Sequence, residues 1–396
     1  MIILEQKKLI IENMIELLEL PESAYEKAIK RYEDIGSWLS RDDSSVYINK
    51  PHIFPQGSFR LGTAIRPLND NEEYDVDLSC KLREGITHVS HTQEFLKSIV
   101  GRELEAYRVS RGIKEALEEK HRCWRLEYQD DLSFHMDIVP CIPADESTKK
   151  KTVESMRKFG LEESMANSAS QTAVYITDNR RQGYRRICCD WKISNPEGYA
   201  HWFEYRMDPQ RLKAFQVRGQ VDNMPLYKRK TPLQRAIQLL KRHRDQMFKG
   251  NEDLKPISII ITTLAARAYT GEQNVFSALQ NILKNMGQYV NKSTPRIPNP
   301  VDPAEDFADR WGMEKYKNLN LEKNFWDWLK QAQLDFESIT STLDTHFITE
   351  QAQQKFSLKL NQSELSRKLG INLDSEERVT PKVHVISDPA KPWENG

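Results

Sequence analysis

Residues 54–80 read FPQGSFRLGTAIRPLNDNEEYDVDLSC, and the reading of this stretch decides the fold. Gly57 and Ser58 are a turn signal in which the glycine lets backbone approach a phosphate and the serine adds a hydroxyl. Asp75 and Asp77 follow in a segment that reads as a strand, where side chains two residues apart share a face. The ordinary alternatives are a strand-to-helix turn with no ligand and a chance D-x-D. A third acid is needed to separate the two readings.

That acid is Asp137. Residues 124–128 and 132–139 read as two strands joined by Gln129-Asp130-Asp131, a hairpin signal. In the second strand Phe134, Met136 and Ile138 face one way, and Ser133, His135 and Asp137 face the other. Three carboxylates gathered on adjacent strands repel one another and desolvate poorly. Divalent cations reverse that balance. Mg²⁺ takes a few carboxylate oxygens, keeps waters and accepts substrate phosphates, so Asp75, Asp77 and Asp137 suffice without a full protein cage. Two such ions, with Mn²⁺ as the alternative metal, activate an attacking hydroxyl and stabilise a leaving pyrophosphate. The pattern therefore permits nucleotidyl transfer.

At 396 residues the chain is long enough for two packed units or one bilobed domain. Its 58 Lys and Arg balance 58 Asp and Glu, so no global field draws a polyanion, and nucleic acid would have to meet a local patch. The five cysteines are an odd number without framework spacing, which fits a reducing compartment, and a cytoplasmic location is expected. Glu5, Lys7, Lys8, Glu12 and Glu16 interrupt every apolar run at the N-terminus. That segment reads as an amphipathic helix, and nowhere is there the run of roughly 20 apolar residues that a membrane span needs.

Four segments are expected. Residues 1–40 carry helices, the second a long spine helix with Tyr25, Ile29, Tyr32 and Leu39 on one stripe. Residues 41–225 form a mixed core, with a helix-prone segment near 92–120, a helix near 158–165 and a strand over 185–193 that includes Cys188 and Cys189. There Ser194-Asn195-Pro196-Glu197-Gly198 reads as a turn before the aromatic residues Tyr199, Trp202, Phe203 and Tyr205. Those rings are either core or a base-stacking platform, which requires exposure. Residues 226–348 are helical, opening with Thr231 as N-cap and Pro232 in the first turn. Lys255-Pro256 starts a second helix, Pro295, Pro298, Pro300 and Pro303 mark an extended connector, and a long helix covers 321–347. Residues 349–396 read as a polar flexible tail with a short docking turn at 365–371.

QGSFRLGT at 56–63, DVD at 75–77 and HMDIVP at 135–140 resemble the motifs of the polymerase β-like nucleotidyltransferases. More narrowly, SNPEGYAHWF at 194–203, TPLQRAIQLLKRHRD at 231–245 and KPISIIITTLAARAY at 255–269 resemble the bacterial cyclic-oligonucleotide synthases (CD-NTases) of anti-phage CBASS systems. These are relatives of animal cyclic GMP-AMP synthase and oligoadenylate synthetase. The resemblance covers residues 20–345. It implies an α+β fold with a nucleotidyltransferase core, a long N-terminal spine helix and a C-terminal helical lobe, with the active site in the cleft between them. It implies the joining of NTPs, ATP or GTP, into a cyclic di- or trinucleotide, in antiviral signalling. By position, Asp75 and Asp77 would bind both metals and Asp137 one of them. Gln56, Gly57, Ser58, Lys241 and Ser258 would hold nucleotide, the last two its triphosphate. An operon-encoded regulator or conjugation enzyme is the implied partner.

Zinc-dependent DNA binding of the animal kind is not expected. Cys188-Cys189 has Gln182 six positions before and Pro196 seven after, where His and Cys ligands would be needed. Two other activities share the acids: template-independent terminal transfer and a toxin-system nucleotidyltransferase. A catalytically silent nucleotide sensor is a third reading, against which the complete acid set weighs. The chain ends in Gly396, a form that conjugation machinery can grip; the plainer alternative is a disordered tail.

Overall fold

α1 (Leu4–Glu16) and α2 (Glu22–Leu39) lie on either side of the Leu20-Pro21 break and bury against different cores. The structure, a computed structural model, describes residues 3–68, 74–129, 134–208 and 230–371. α1 sends Ile10, Ile11, Met14 and Ile15 among the helices of the second half. α2 lays Ala24, Ala28, Tyr32, Ile35 and Leu39 on the sheet, and the Tyr32 hydroxyl donates to Ile53 O at 2.9 Å.

The sheet begins with β1 (Pro51–Pro55), the single-turn helix α3 (Gly57–Leu61) and β2 (Tyr74–Leu82). After α4 (Gln93–Ser110), capped by Thr92, come β3 (Glu118–Glu119), β4 (Trp124–Tyr128) and β5 (Phe134–Pro143). Strand order is β1-β2-β5-β4-β3, with β2 and β5 parallel and their outer neighbours antiparallel. Period-two alternation gives the sheet two characters. Val76, Leu78, Leu126, Met136 and Ile138 are buried in one core with α2 and α4. The opposite face carries Asp75, Asp77, Ser79 and Lys81 on β2 and His135 and Asp137 on β5, and it looks toward the helical half. Lys81 there is paired with Glu197 at 2.6 Å.

Several local expectations are corrected. The helix near 158–165 is broken in its middle: α5 (Glu146–Lys158) ends where Gly160 takes φ +93°, and α6 (Glu163–Gln171) takes up the rest beyond it. A left-handed residue terminates a helix, and glycine adopts it without strain. The strand over 185–193 shrinks to β7 (Lys192–Ser194), because its partner β6 (Val174–Ile176) offers only three residues. Cys188 and Cys189 lie in the preceding loop, where the Cys188 thiol donates to Gly183 O at 3.6 Å. The Asn195-Pro196 turn is a helix start. Asn195 Oδ1 accepts from Gly198 N and Pro196 occupies the first turn of α7 (Pro196–Met207). Tyr199, Trp202 and Phe203 then recur on one helical face and are buried, which makes them core and removes them as an exposed platform.

The second half contains α8 (Pro232–Met247), α9 (Ser258–Ala268), α10 (Val275–Asn285), the short hairpin β8 (Pro298–Asn299) and β9 (Asp302–Asp306), and α11 (Leu321–Ile339). Thr231 caps α8 with a full capping box to Gln234. The long helix expected through 347 stops at Ile339, and Asp344 caps α12 (Thr345–Phe356), followed by α13 (Gln362–Lys368). Residues 349–371, read as polar tail, therefore belong to the helical core. Ile348, Ala352 and Phe356 recur at four-residue steps and are buried, as are Leu358, Leu365 and Leu369. Polar composition hid a narrow apolar stripe. No helix among the described residues is long and apolar enough to cross a membrane.

Phe356→Ala tests whether α12 is part of the fold. Removing this fully buried ring should lower unfolding stability by about 3–5 kcal/mol in a denaturant titration. A dispensable tail would show no change.

Candidate active site

The parallel register of β2 and β5 sets Asp77 beside Asp137 and Asp75 beside His135. Oxygens of Asp75, Asp77 and Asp137 all lie within 4.8 Å of one another, the one such acid, His or Cys group of three among the described residues. Their surroundings differ. Asp137 is gripped by Arg125 of β4, whose Nε and Nη2 donate to its two oxygens at 2.7 and 2.8 Å. Asp75 faces His135 Nε2 at 3.1 Å. Asp77 has no ion pair among the described residues. Burial, then Asp75 and Asp137, push its carboxyl up to about 7.

Gly57 is fixed by the same carboxylate. Its φ is +63°, and a Cβ there would come within 2.1 Å of Asp77 Oδ2. The absent side chain lets α3 sit directly over the acid. Gln56 N donates to Asp77 O at 2.9 Å, while Gln56 Oε1 accepts from Ser79 Oγ at 3.0 Å. Gln56 thus braces the strand and is absent from the lining of the cleft, whereas Ser58 lines it.

The cleft has a volume of about 580 Å³. Ser58, Thr63 and Asp75 line it from the sheet side, and Lys241, Arg244, Lys255 and Ser258 from the helical side. One face of α8 closes it. Gln234 donates to Leu61 O, Gln238 to Ala64 O and Arg242 to Arg66 O, at 2.9, 2.7 and 2.6 Å. Lys241, in the same ladder, donates to Thr63 O at 3.1 Å and Thr63 Oγ1 at 3.0 Å. Burial, then Arg244, lower its ammonium to about 7. Ser258 opens α9, and its Oγ accepts from Arg244 Nη1 at 2.8 Å.

The structure therefore brings Ser58, Lys241 and Ser258 into one cleft with Asp75, with Asp77 and Asp137 adjoining on the sheet. Gly396 lies outside the described residues. Arg244, Lys255, Thr63, His135 and Arg125 were not singled out from the sequence. Arg244 follows Lys241 by three residues, so helical spacing could have flagged it, while Lys255 lies between α8 and α9 and carried no such signal. Chemically, the cleft sets cations and hydroxyls opposite a carboxylate cluster, with Asp245 and Glu252 on the same lining paired to Arg244 and Lys255, an arrangement suited to a phosphate chain at one end and a divalent cation at the other.

Residues 51–141 match the family model described as cyclic GMP-AMP synthase DncV-like, nucleotidyltransferase domain. A c-di-GMP synthase of Roseivirga ehrenbergii is 29% identical over 332 residues, which span 81% of this chain and 78% of that protein. Among solved structures, the CD-NTase CdnG of Bradyrhizobium diazoefficiens, in complex with GTP, superposes with a TM-score of 0.61 at 18% identity, covering 92% of this chain and 98% of that one. The di-nucleotide cyclase DncV of Vibrio cholerae, in complex with ATP, GTP and 5MTHFGLU2, does so with a TM-score of 0.56 at 15% identity, covering 91% and 97%. The two structural likenesses concern the fold.

Two substitutions probe the cluster. Gly57→Ala should destabilise the protein by at least about 1–3 kcal/mol in a denaturant titration, because a left-handed alanine is strained and meets Asp77. Asp77→Asn should act in the other direction. A carboxyl raised from 3.8 to about 7 by folding costs stability as pH rises between those values. In chelator at pH 8 the amide variant should be more stable by roughly 4 kcal/mol, from about three pKa units at 1.36 kcal/mol each. Thermal melts should show the difference vanish near pH 4.

Proposed function

We propose that this chain is a CD-NTase, a bacterial cyclic-oligonucleotide synthase, and that it joins NTPs into a cyclic di- or trinucleotide with release of pyrophosphate, as a second messenger in antiviral defence. The observation that carries this reading is the acid cluster, with oxygens within 4.8 Å, adjoining a cleft lined by Lys241, Arg244, Lys255 and Ser258.

The residues fit a divalent metal. Arg125 offsets Asp137 and His135 hydrogen-bonds Asp75, while Asp77, without an ion pair among the described residues and pushed up to about 7 by burial and its acidic neighbours, is the carboxylate whose charged form a divalent cation would stabilise. Asp75 and Asp77 would hold two Mg²⁺ ions, or Mn²⁺, and Asp137 one of them. Such ions, when bound, supply a lowered pKa for the attacking hydroxyl and charge compensation for leaving pyrophosphate.

The remaining roles fall to the chain itself. Lys241, Arg244 and Lys255 would bind the donor triphosphate, Ser58 and Ser258 would orient it with hydroxyls, and Gly57 admits it close to the backbone. Phosphate charge beside Lys241 raises its pKa above the depressed value near 7, so substrate binding itself completes the ammonium. GTP is the first substrate to try, since the Roseivirga relative is named for c-di-GMP and the Bradyrhizobium structure holds GTP. The same reading puts the enzyme in the cytoplasm beside an operon-encoded regulator or conjugation enzyme.

The test is incubation with radiolabelled GTP, ATP or both, with Mg²⁺ or with chelator, followed by phosphatase digestion and chromatography. A phosphatase-resistant product is expected only with metal. Asp75→Ala and Asp77→Ala should each reduce it by more than about 10²-fold while circular dichroism stays unchanged. Parent-like product from Asp77→Ala, or only linear phosphatase-sensitive chains from the parent, would overturn the reading.

A further inference from the structure

One full charge in the acid cluster has no part in the reaction as proposed so far. Arg125 sits on β4 directly opposite Asp137, an antiparallel pair whose side chains share a face. Its Nε and Nη2 take one oxygen each of the Asp137 carboxylate, at 2.7 and 2.8 Å, with the two side chains only 25% and 16% exposed. A guanidinium fork of this kind sets the plane of a carboxylate as well as neutralising it, which a lysine cannot do. A carboxylate offers about four lone-pair sites, and the fork uses one on each oxygen. The Cys123 thiol hydrogen-bonds the same carboxylate, and the remaining lone-pair site is available to a metal ion, so Arg125 need not leave when the metal arrives.

We propose that Arg125 is a positioning residue of this site: it fixes the orientation of the Asp137 carboxylate and makes metal loading depend on bound nucleotide. The second half follows from charge. A fixed cation beside three carboxylates lowers the net negative charge of the cluster by one. The nucleotide-free cluster then attracts a divalent cation weakly. A triphosphate arriving at Lys241, Arg244 and Lys255 brings the negative charge that restores the attraction. Removing Arg125 should strengthen metal binding to the empty protein while weakening catalysis, a pair of opposite effects that a merely structural role does not produce.

The inference rests on the reading of the cluster as a metal-dependent nucleotidyltransferase site, and its test has a readout of its own. Mn²⁺ binding is titrated by electron paramagnetic resonance on full-length protein without nucleotide, in parallel with pyrophosphate release from GTP and ATP. For Arg125→Gln, Mn²⁺ affinity without nucleotide should rise about tenfold, and kcat should fall about 10²-fold because a ligand displaced by about 1 Å costs that much. Arg125→Lys keeps a charge and loses the fork, so Mn²⁺ affinity should stay within about threefold of the parent while kcat falls. In an Asp137→Asn background, Arg125→Gln should still raise Mn²⁺ affinity, because the fixed charge beside Asp75 is removed, but should lower kcat no further, since no carboxylate is left for the fork to orient. Circular dichroism checks folding, and if the Gln variant does not fold, the Lys variant and the double-variant comparison carry the test. Unchanged or weaker Mn²⁺ binding by Arg125→Gln, or kcat within about twofold of the parent, would overturn the proposal. Should the parent release no pyrophosphate with any NTP, the proposed activity fails, and the Mn²⁺ titrations alone decide the role of Arg125.

Discussion

Mutual repulsion among three carboxylates with oxygens within 4.8 Å is the constraint that organises this molecule. A sheet that gathers such charge on one face must be held together by the other. Here Val76, Leu78, Met136 and Ile138 anchor the same two strands in an apolar core with α2 and α4, so the acids cannot relax by moving apart. Neighbouring groups are shaped by the same charge. Gly57 has no side chain because Asp77 fills the space, Arg125 grips Asp137, and His135 faces Asp75.

Attachment of the helical half follows from unpaired backbone. Residues 61–66 run from α3 toward β2 without a sheet partner, and their carbonyls need donors. Gln234, Gln238, Lys241 and Arg242 recur on one face of α8 at helical spacing and supply them. The opposite face of α8 carries Leu233, Ile237 and Leu240 into the core. Together with the ion pairs Lys81–Glu197 and Arg60–Glu204 of α7, α8 thus ties one lobe to the other, and it aims Lys241 at the site. The bond of Lys241 to Thr63 also explains how a lysine only 5% exposed is tolerated before any phosphate is present.

Much of this was legible from local pattern because the signals were periodic or stereochemical. Asp-Val-Asp in an alternating strand, Phe134, Met136 and Ile138 against His135 and Asp137, and Thr231-Pro232 before a helical stripe each have one physical reading. Misreadings arose where one local pattern supports two structures. Asn195-Pro196 begins a turn or caps a helix, and the burial of Tyr199, Trp202 and Phe203 selects the helix. The alternation over 185–193 had no partner of matching length, and a strand without a partner does not persist. The stripe Ile348, Ala352 and Phe356 was too narrow to stand out from its polar surroundings.

The hairpin from β4 to β5 marks the boundary between the two kinds of information. Sequence alternation determined that Asp137 shares a face with His135 and that Asp75 shares one with Asp77, because side-chain period along a strand is a local property of the backbone. It could not determine that the two faces are the same face, nor which residue of β4 meets Asp137. A loop of three residues, 129–131, would pair Tyr128 with Leu132 and Arg125 with His135. In the structure Tyr128 pairs with Phe134, and Arg125 meets Asp137. Register between strands is set by packing across the whole sheet, where a shift changes every cross-strand neighbour at once. For that reason the acids could be named from residue order alone, while their mutual distance, the Arg125 fork and the cations of the far lobe were decided only by the tertiary structure.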